Sequence, residues 1–421
     1  MIRIALSTLG CKINQAESAA ILAQFDAAEY SVVAWEEAAD IYIINTCTVT
    51  NRTDYKSRFL IRTALARKAQ NPLVKVVVTG CFAQRSAAEI ASLGEVDFIV
   101  DNQQKLDIAT ILAGSKYVFR DIMDARDFSY KPFATMHERT RAFQKIQYGC
   151  DFYCAYCAVP YARGHARSAP LEQVLQQARL FVAHGYKEIV LGGVNLGLYH
   201  DGKHDLGDVA EKMAQIEGLE LIRLSSIEPQ LLSQKLIQRL QAIPQICPHF
   251  HIPLQSGCDA VLGRMKRRYN TALMKSLVYS ILGAFPDAAI GCDVITGFPG
   301  ESEAEHSETQ SFIQSLPLAY LHVFSYSKRK GTPADTMPNQ VPKAIKNQRA
   351  RQLSDLSEQL KQNYAAKLKE GNVTLRGIAE THKHGGTEFL SDHYLRVLIP
   401  QLIPIGELAE VSSLQAQIIL S

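Results

Sequence analysis

Two hydrophobic periods alternate along this chain. Short apolar runs, Ile2 to Ser7, Ile41 to Asn45 and Val74 to Thr79, read as buried strands, and stretches of helical period from about Asn14 to Phe25 and Thr53 to Gln70 separate them. A further helical start, Ser86 to Leu93, precedes the strand-like Val96 to Val100. Alternation of this kind predicts an α/β chain opening with a doubly wound parallel sheet, whose ligand crevice lies outside the carboxyl ends of the strands. The first three strands run into Cys11, Cys47 and Cys81. From about Lys105 to Glu138 the period fades, as in a linker, with a boundary near Thr135. From Phe143 a strand-then-helix pattern repeats six times, with strand ends at Tyr148, Leu191, Ser225, Leu254, Ile295 and Tyr326. Six such units predict a partial (β/α)6 barrel with its chemistry at those ends. A Lys-, Arg- and Gln-rich helix follows from Val341 to Glu370, and from Gly371 short alternating strands outline a small β-barrel.

Composition narrows the class. A chain of 421 residues exceeds one ordinary core, which predicts two or three domains. With 47% hydrophobic and 21% charged residues it has the make-up of a globular protein, and no apolar run approaches the roughly 18 residues of a membrane span. Met1 leads directly into a strand, without the basic head and apolar stretch of a secretory signal, so a cytoplasmic location is expected. Nine cysteines, an odd number, suit metal ligation in a reducing compartment better than disulfides. The net charge of +3 argues for no nucleic acid by itself.

The densest chemistry lies between Gln147 and Gly164, where Cys150, Cys154 and Cys157 share one tight loop. Three thiolates so spaced can hold three irons of a four-iron, four-sulfur cube and leave the fourth iron open. Zinc is the rival; it wants a fourth Cys or His, and His165 is the nearest, behind Pro160 and Gly164. Three buried thiols without a metal are the plainest alternative. The stretch resembles the Cys-x3-Cys-x2-Cys signature of the radical S-adenosylmethionine enzymes, including Tyr156 before the last Cys. The resemblance implies a four-iron cluster (4Fe-4S) on these Cys, S-adenosylmethionine chelated by its open iron, and a 5′-deoxyadenosyl radical released on reduction.

Loops at the other strand ends suit such a cofactor. Gly192 and Gly193 let backbone approach a ligand; Asn195, Ser226, Glu228 and Gln255 offer donors and acceptors; and Asp293, inside a strand, needs a partner. Arg163 and Arg167 could pair with a cofactor carboxylate or form surface ion pairs. Cys247, Cys258 and Cys292 read as buried thiols, and His249 and His251, alternating with apolar residues, as core or pocket lining.

Three further phrases, Thr8-Leu9-Gly10-Cys11-Lys12-Ile13-Asn14-Gln15, Asn45-Thr46-Cys47-Thr48-Val49 and Thr79-Gly80-Cys81, resemble the amino-terminal domain of the methylthiotransferases. The resemblance implies that Cys11, Cys47 and Cys81 bind a second, auxiliary four-iron cluster that helps deliver a methylthio group. The carboxyl-terminal segment, above all Tyr394-Leu395-Arg396-Val397, is similar to the RNA-binding TRAM module. The expected units are residues 1–125, 136–366 and 371–421. The residues around Cys11 are similar to the branch acting on N6-threonylcarbamoyladenosine in tRNA, which implies methylthiolation of its C2 with two S-adenosylmethionine molecules per turnover. Partners expected on that basis are tRNA and an external electron donor such as a flavodoxin or ferredoxin, with the enzyme a monomer and no membrane involved.

Three basic runs bear on the RNA: Arg52, Lys56, Arg58, Arg62, Arg67 and Lys68; Arg264, Lys266, Arg267 and Arg268; and Lys328, Arg329 and Lys330. Solvated helix faces explain many such runs, while phosphate contacts are the functional reading. Two alternatives retain the enzyme but change its substrate to isopentenyladenosine in tRNA or a ribosomal-protein aspartate. A third is an iron-sulfur redox or sensor protein that binds RNA without modifying it.

Overall fold

The computed structural model describes residues 1–136 and 139–420. The end of the expected linker, His137 and Glu138, and the last residue of the carboxyl-terminal unit, Ser421, lie outside the described residues.

The amino-terminal sheet contains β1 (Ile2–Thr8), β2 (Tyr30–Val33), β3 (Ile41–Thr46), β4 (Lys75–Gly80) and β5 (Phe98–Ile99), all parallel, in the order β2-β1-β3-β4-β5. Helix α1 (Lys12–Leu22) and helix α2 (Asn51–Gln70) supply crossovers. The apolar strands β3 and β4 are buried on both faces, as a parallel sheet demands. Strand β2 has no counterpart in the pattern of apolar runs: it is four residues long and only half-buried, so it lacks the continuous apolar stretch of its neighbours. The order reverses between β1 and β3, which places the switch point, and its crevice, where Cys11 and Cys47 follow those strands.

The stretch expected to be a linker is partly core. A single turn at Lys105–Asp107 and the helix Ile108–Leu112 bury Lys105, Leu106, Ile108 and Ile111. A five-residue helix is too short to show a period, and Lys105 in the turn before it is buried facing Glu17 on α1 at 2.5 Å.

The six central strands are β6 (Ala142–Lys145), β9 (Glu188–Gly192), β10 (Leu221–Leu224), β11 (His249–Gln255), β12 (Ala289–Thr296) and β13 (Tyr320–Ser325); the small antiparallel pair β7 (Gln147–Tyr148) and β8 (Arg167–Ser168) flanks the cysteine loop. They form two parallel arcs, β10-β9-β6 and β11-β12-β13, joined by an isolated bridge between Ile222 and Ile246. The partial barrel is therefore split at its midpoint. The helix Lys343–Glu370 packs on β13, where Ser357 Oγ accepts from Leu321 N at 2.9 Å.

The carboxyl-terminal strands are β14 (Thr374–Lys383), β15 (Gly386–Ser391), β16 (Arg396–Ile399), β17 (Leu408–Ser412) and β18 (Gln417–Ile419), an antiparallel sheet in the order β17-β14-β15-β16-β18. This five-stranded antiparallel sheet is the small β unit expected after Gly371. This module is anchored to the barrel by Arg223, which donates to the carbonyls of Ser391 and Asp392 at 3.0 and 3.2 Å.

Candidate functional site

The three amino-terminal cysteines are positioned by buried polar groups that tie the strand ends together. Asn14 Nδ2 donates to Leu9 O and Thr46 O, Asn45 Nδ2 to Asn14 O, and Thr46 Oγ1 to Thr79 O at 2.5 Å. All but the Asn14–Leu9 bond cross from one cysteine-bearing loop or its helix to another. Gly10 and Gly80 precede their cysteines with φ near +95°, and neither position has room for a methyl: a Cβ at Gly10 would lie 2.7 Å from Cys47 Sγ, and one at Gly80 2.3 Å from Thr46 O. Burial raises the Cys47 thiol to about 11, with Cys81 and Cys11 adding to the rise as neighbouring sulfurs.

On the central loop burial raises Cys157 to about 12, reinforced by Cys154 and Cys150, and burial also raises Cys150. Thiols that oppose one another's ionisation in this way become jointly stable as thiolates only around a multivalent cation. Among the described residues neither triad brings its three sulfurs within 4.8 Å of one another. A single zinc, with Zn–S of about 2.3 Å, needs donors closer than that. The spread suits a larger iron-sulfur group. His165, the rival fourth zinc ligand, pairs instead with Asp151 at 2.7 Å.

Cations stand beside both triads. Arg267 donates to Cys154 Sγ at 3.0 Å and Tyr156 Oη at 3.2 Å and pairs with Glu228. Arg163 donates to Cys81 Sγ at 3.3 Å and bonds Asn14 and Glu17. Glu17 is buried, which alone would raise its carboxyl; Lys105, Arg163 and Lys145 overcome that and hold it well below the usual range. Three cations around one carboxylate leave positive charge next to Cys81, suited to an anionic thiolate cluster.

These contacts correct several expectations. Arg163 and Arg167 are both buried, so neither is a surface ion pair, and Arg163 serves the amino-terminal triad rather than a cofactor carboxylate. Glu228 pairs with Arg267 through Oε2. At Gly193 a Cβ would lie 2.9 Å from Gln147 Oε1, so the absence of a side chain makes room for Gln147. Gln147 Oε1 accepts from Asn195 N and its Nε2 donates to Gly149 O, linking the Gly192–Asn195 loop to the cysteine loop; the sequence marks it only as the residue that opens the motif. Gly192 O already accepts from Ile146 N.

Asn195 Nδ2 reaches Cys150 Sγ at 3.9 Å while its Oδ1 is buried without a partner, and the buried Gln255, in left-handed backbone at φ 62°, also leaves Oε1 unpaired. Such orphaned acceptors beside a thiol loop await a ligand's donors. Ser226 lines the cavity at the end of β10, and Asp293 is held by His251 at 2.9 Å and His322 at 3.5 Å. His249 and His251 do share one side of β11 and line the cavity; Cys247, Cys258 and Cys292 are buried thiols.

Two cavities meet here. One, of about 320 Å³, touches Cys11, Lys12, Gly192, Ser226 and Asp293; the other, of about 250 Å³, touches Cys81, Tyr156, Cys157, Gln255 and Asp293. Burial, together with Arg141 and Arg223, lowers the Lys12 ammonium to about 8. Tyr394, from the carboxyl-terminal sheet, stacks on His249 with centroids 4.2 Å apart, so all three units contribute to the first cavity.

A three-cysteine loop at the mouth of a parallel partial barrel defines the radical S-adenosylmethionine class, and the Radical SAM superfamily model matches residues 145–313. Residues 3–101 match the Uncharacterized protein family UPF0004. The chain is 38% identical over 429 residues to the threonylcarbamoyladenosine tRNA methylthiotransferase MtaB of Bacillus subtilis, covering 99% of this chain and 94% of that protein. It is 36% identical to the protein of the same name from Aquifex aeolicus, over 97% and 99%. The chain belongs to this methylthiotransferase family. In fold it is similar to the radical S-adenosylmethionine methyltransferase TsrM of Kitasatospora setae, with a TM-score of 0.60, 12% identity, and 80% and 75% of the two chains covered.

Proposed function

We propose that the protein methylthiolates C2 of N6-threonylcarbamoyladenosine immediately 3′ of the tRNA anticodon. Cys150, Cys154 and Cys157 would hold one four-iron cluster and its S-adenosylmethionine, and Cys11, Cys47 and Cys81 the auxiliary cluster. When bound, these groups supply a carbon radical able to take hydrogen from an aromatic C–H bond and the methylthio group that replaces it. The observation that carries this reading is the pair of cavities sharing Asp293, which open on thiols of both triads.

The chain's own residues orient the reactants. Arg267 balances charge at Cys154 and Arg163 at Cys81, Asn195 and Gln255 offer acceptors to the cofactor, and the stacked Tyr394, His249 and Tyr320 wall the substrate cavity. An anticodon-loop base can be splayed out and stacked more cheaply than a duplex base.

For the tRNA body, each of the three basic runs keeps exposed cations. In the second and third runs Arg264 pairs with Glu305, Arg267 is buried on Glu228 and Arg329 is buried on Asp54, while Lys266, Arg268, Lys328 and Lys330 are exposed. On α2, Arg52, Lys56 and Arg62 are exposed and share a stripe with Tyr55, 64% exposed, and Phe59, 60% exposed. Basic and aromatic side chains at helical spacing match phosphates and unstacked bases.

Cytoplasmic work as a monomer with an external flavodoxin- or ferredoxin-type donor completes the reading; among the described residues no helix is long and apolar enough to cross a membrane. The test is nucleoside mass spectrometry after anaerobic incubation of reconstituted protein with S-adenosylmethionine, reductant and tRNA bearing threonylcarbamoyladenosine. A methylthio increment on that nucleoside is expected. Cofactor cleavage without it, followed by an increment on isopentenyladenosine or the ribosomal protein, would replace the substrate; absence of cleavage with both clusters intact would replace the enzyme reading.

A further inference from the structure

The cavity beside Cys11 contains a cation that is paired with no anion among the described residues. Three Lys and Arg side chains line it. Lys145 faces Glu17 at 3.2 Å and Arg223 faces Glu188 at 2.7 Å, but among the described residues Lys12 forms no ion pair. Its ammonium instead lies 5.4 Å from the centroid of the Phe143 ring and 6.0 Å from that of Tyr394.

The neighbouring carboxylates are committed elsewhere. Glu188 serves Arg223 and, at 3.9 Å, Arg141; Glu380 holds Arg141 at 2.7 Å; Asp293 is held by its two histidines. Ring faces attract a cation but leave its charge uncompensated. A solvent-accessible ammonium beside aromatic rings, with each neighbouring carboxylate among the described residues already paired through at least one oxygen, is arranged for an anion arriving from outside.

We propose that Lys12 binds the carboxylate at the tip of the substrate's threonylcarbamoyl group and so selects that nucleoside over one carrying an apolar isopentenyl group. The inference rests on the function proposed above and identifies the residue that sets its specificity. Phe143 and Tyr394 hold the Lys12 side chain between them, and the stacked rings of Tyr394, His249 and Tyr320 offer the adenine a wall in the same cavity. An isopentenyl group would leave the ammonium without its counter-charge. S-adenosylmethionine also carries a carboxylate, so the test must separate the two sources.

The experiment compares anticodon stem-loop RNAs whose threonylcarbamoyl group ends in the free acid or in its carboxamide, using wild type, Lys12→Met and Lys12→Arg as reconstituted holoenzymes. Product formation is measured alongside RNA affinity by fluorescence anisotropy and S-adenosylmethionine affinity by equilibrium dialysis. Wild type should favour the acid by about 10- to 100-fold, mainly through affinity and KM. Lys12→Met should treat acid and amide alike, Lys12→Arg should restore most of the preference, and cofactor affinity should be unchanged in both.

Equal use of acid and amide by wild type would overturn the proposal while leaving the threonylcarbamoyladenosine activity standing. Lost cofactor affinity in Lys12→Met with an intact acid preference would overturn it in favour of the cofactor carboxylate. A wild type that modifies neither RNA would overturn both this inference and the function on which it rests.

Discussion

The two cysteine triads use the same side chains and reach their geometry by opposite routes. Cys150, Cys154 and Cys157 share one loop, where chain connectivity keeps them close. Cys11, Cys47 and Cys81 come from the ends of three parallel strands and meet because β1, β3 and β4 are neighbours in the sheet. The local triad therefore depends on its loop and on Gln147 and Arg267 behind it. The distributed triad depends on the register of a whole sheet, sealed by Asn14, Asn45 and Thr46. Local ligation tolerates distant change, whereas ligation across a sheet transmits a small backbone error to all three sulfurs.

The largest expected effect separates the triads by chemistry. Cys154→Ala should abolish both reductive cleavage of S-adenosylmethionine and the methylthio product, while Cys47→Ala should abolish the product and retain cleavage. Each variant should lose about half of the bound iron on reconstitution, on the cluster assignment. Product formation at the normal rate by either variant would break the assignment.

A smaller effect tests the claim about register. Gly80→Ala places a methyl 2.3 Å from Thr46 O in backbone that L side chains rarely adopt. It should cost roughly 1–3 kcal/mol in denaturant unfolding and preferentially deplete the auxiliary iron. Equal depletion of both clusters, read by iron content and electron paramagnetic resonance, would show that the triads are not independent.

The smallest effect lies on the surface of α2. Replacing Tyr55 and Phe59 by Ser should leave iron content and cofactor cleavage intact and weaken tRNA binding by about tenfold or more, since a base stacked on an aromatic ring is worth ~1–3 kcal/mol. Unchanged affinity across a salt titration would make that stripe an ordinary solvated face.

The loop triad was legible because its ligands are close in sequence, and the other because strand-helix alternation places three cysteines at strand ends. The basic runs were only partly legible for a physical reason. A lysine or arginine looks the same in sequence whether it meets phosphate or a buried carboxylate, and Arg267 and Arg329 find Glu228 and Asp54 only after folding. Arg163 illustrates the same limit, since its partners Asn14 and Glu17 precede it by 149 and 146 residues.

The chain's sequence by itself determined the succession of strands and helices and which cysteines stand as candidate ligands, because hydrophobic period and residue chemistry are local properties. Only the tertiary structure decided that β2 completes the first sheet, that the barrel splits between β10 and β11 with a single bridge at Ile222 and Ile246, and that Tyr394 enters the cavity beside Lys12. It also decided which charges neutralise one another and which, like Lys12, are left facing a cavity, because the pairing of charges distant in sequence is settled when their elements pack together.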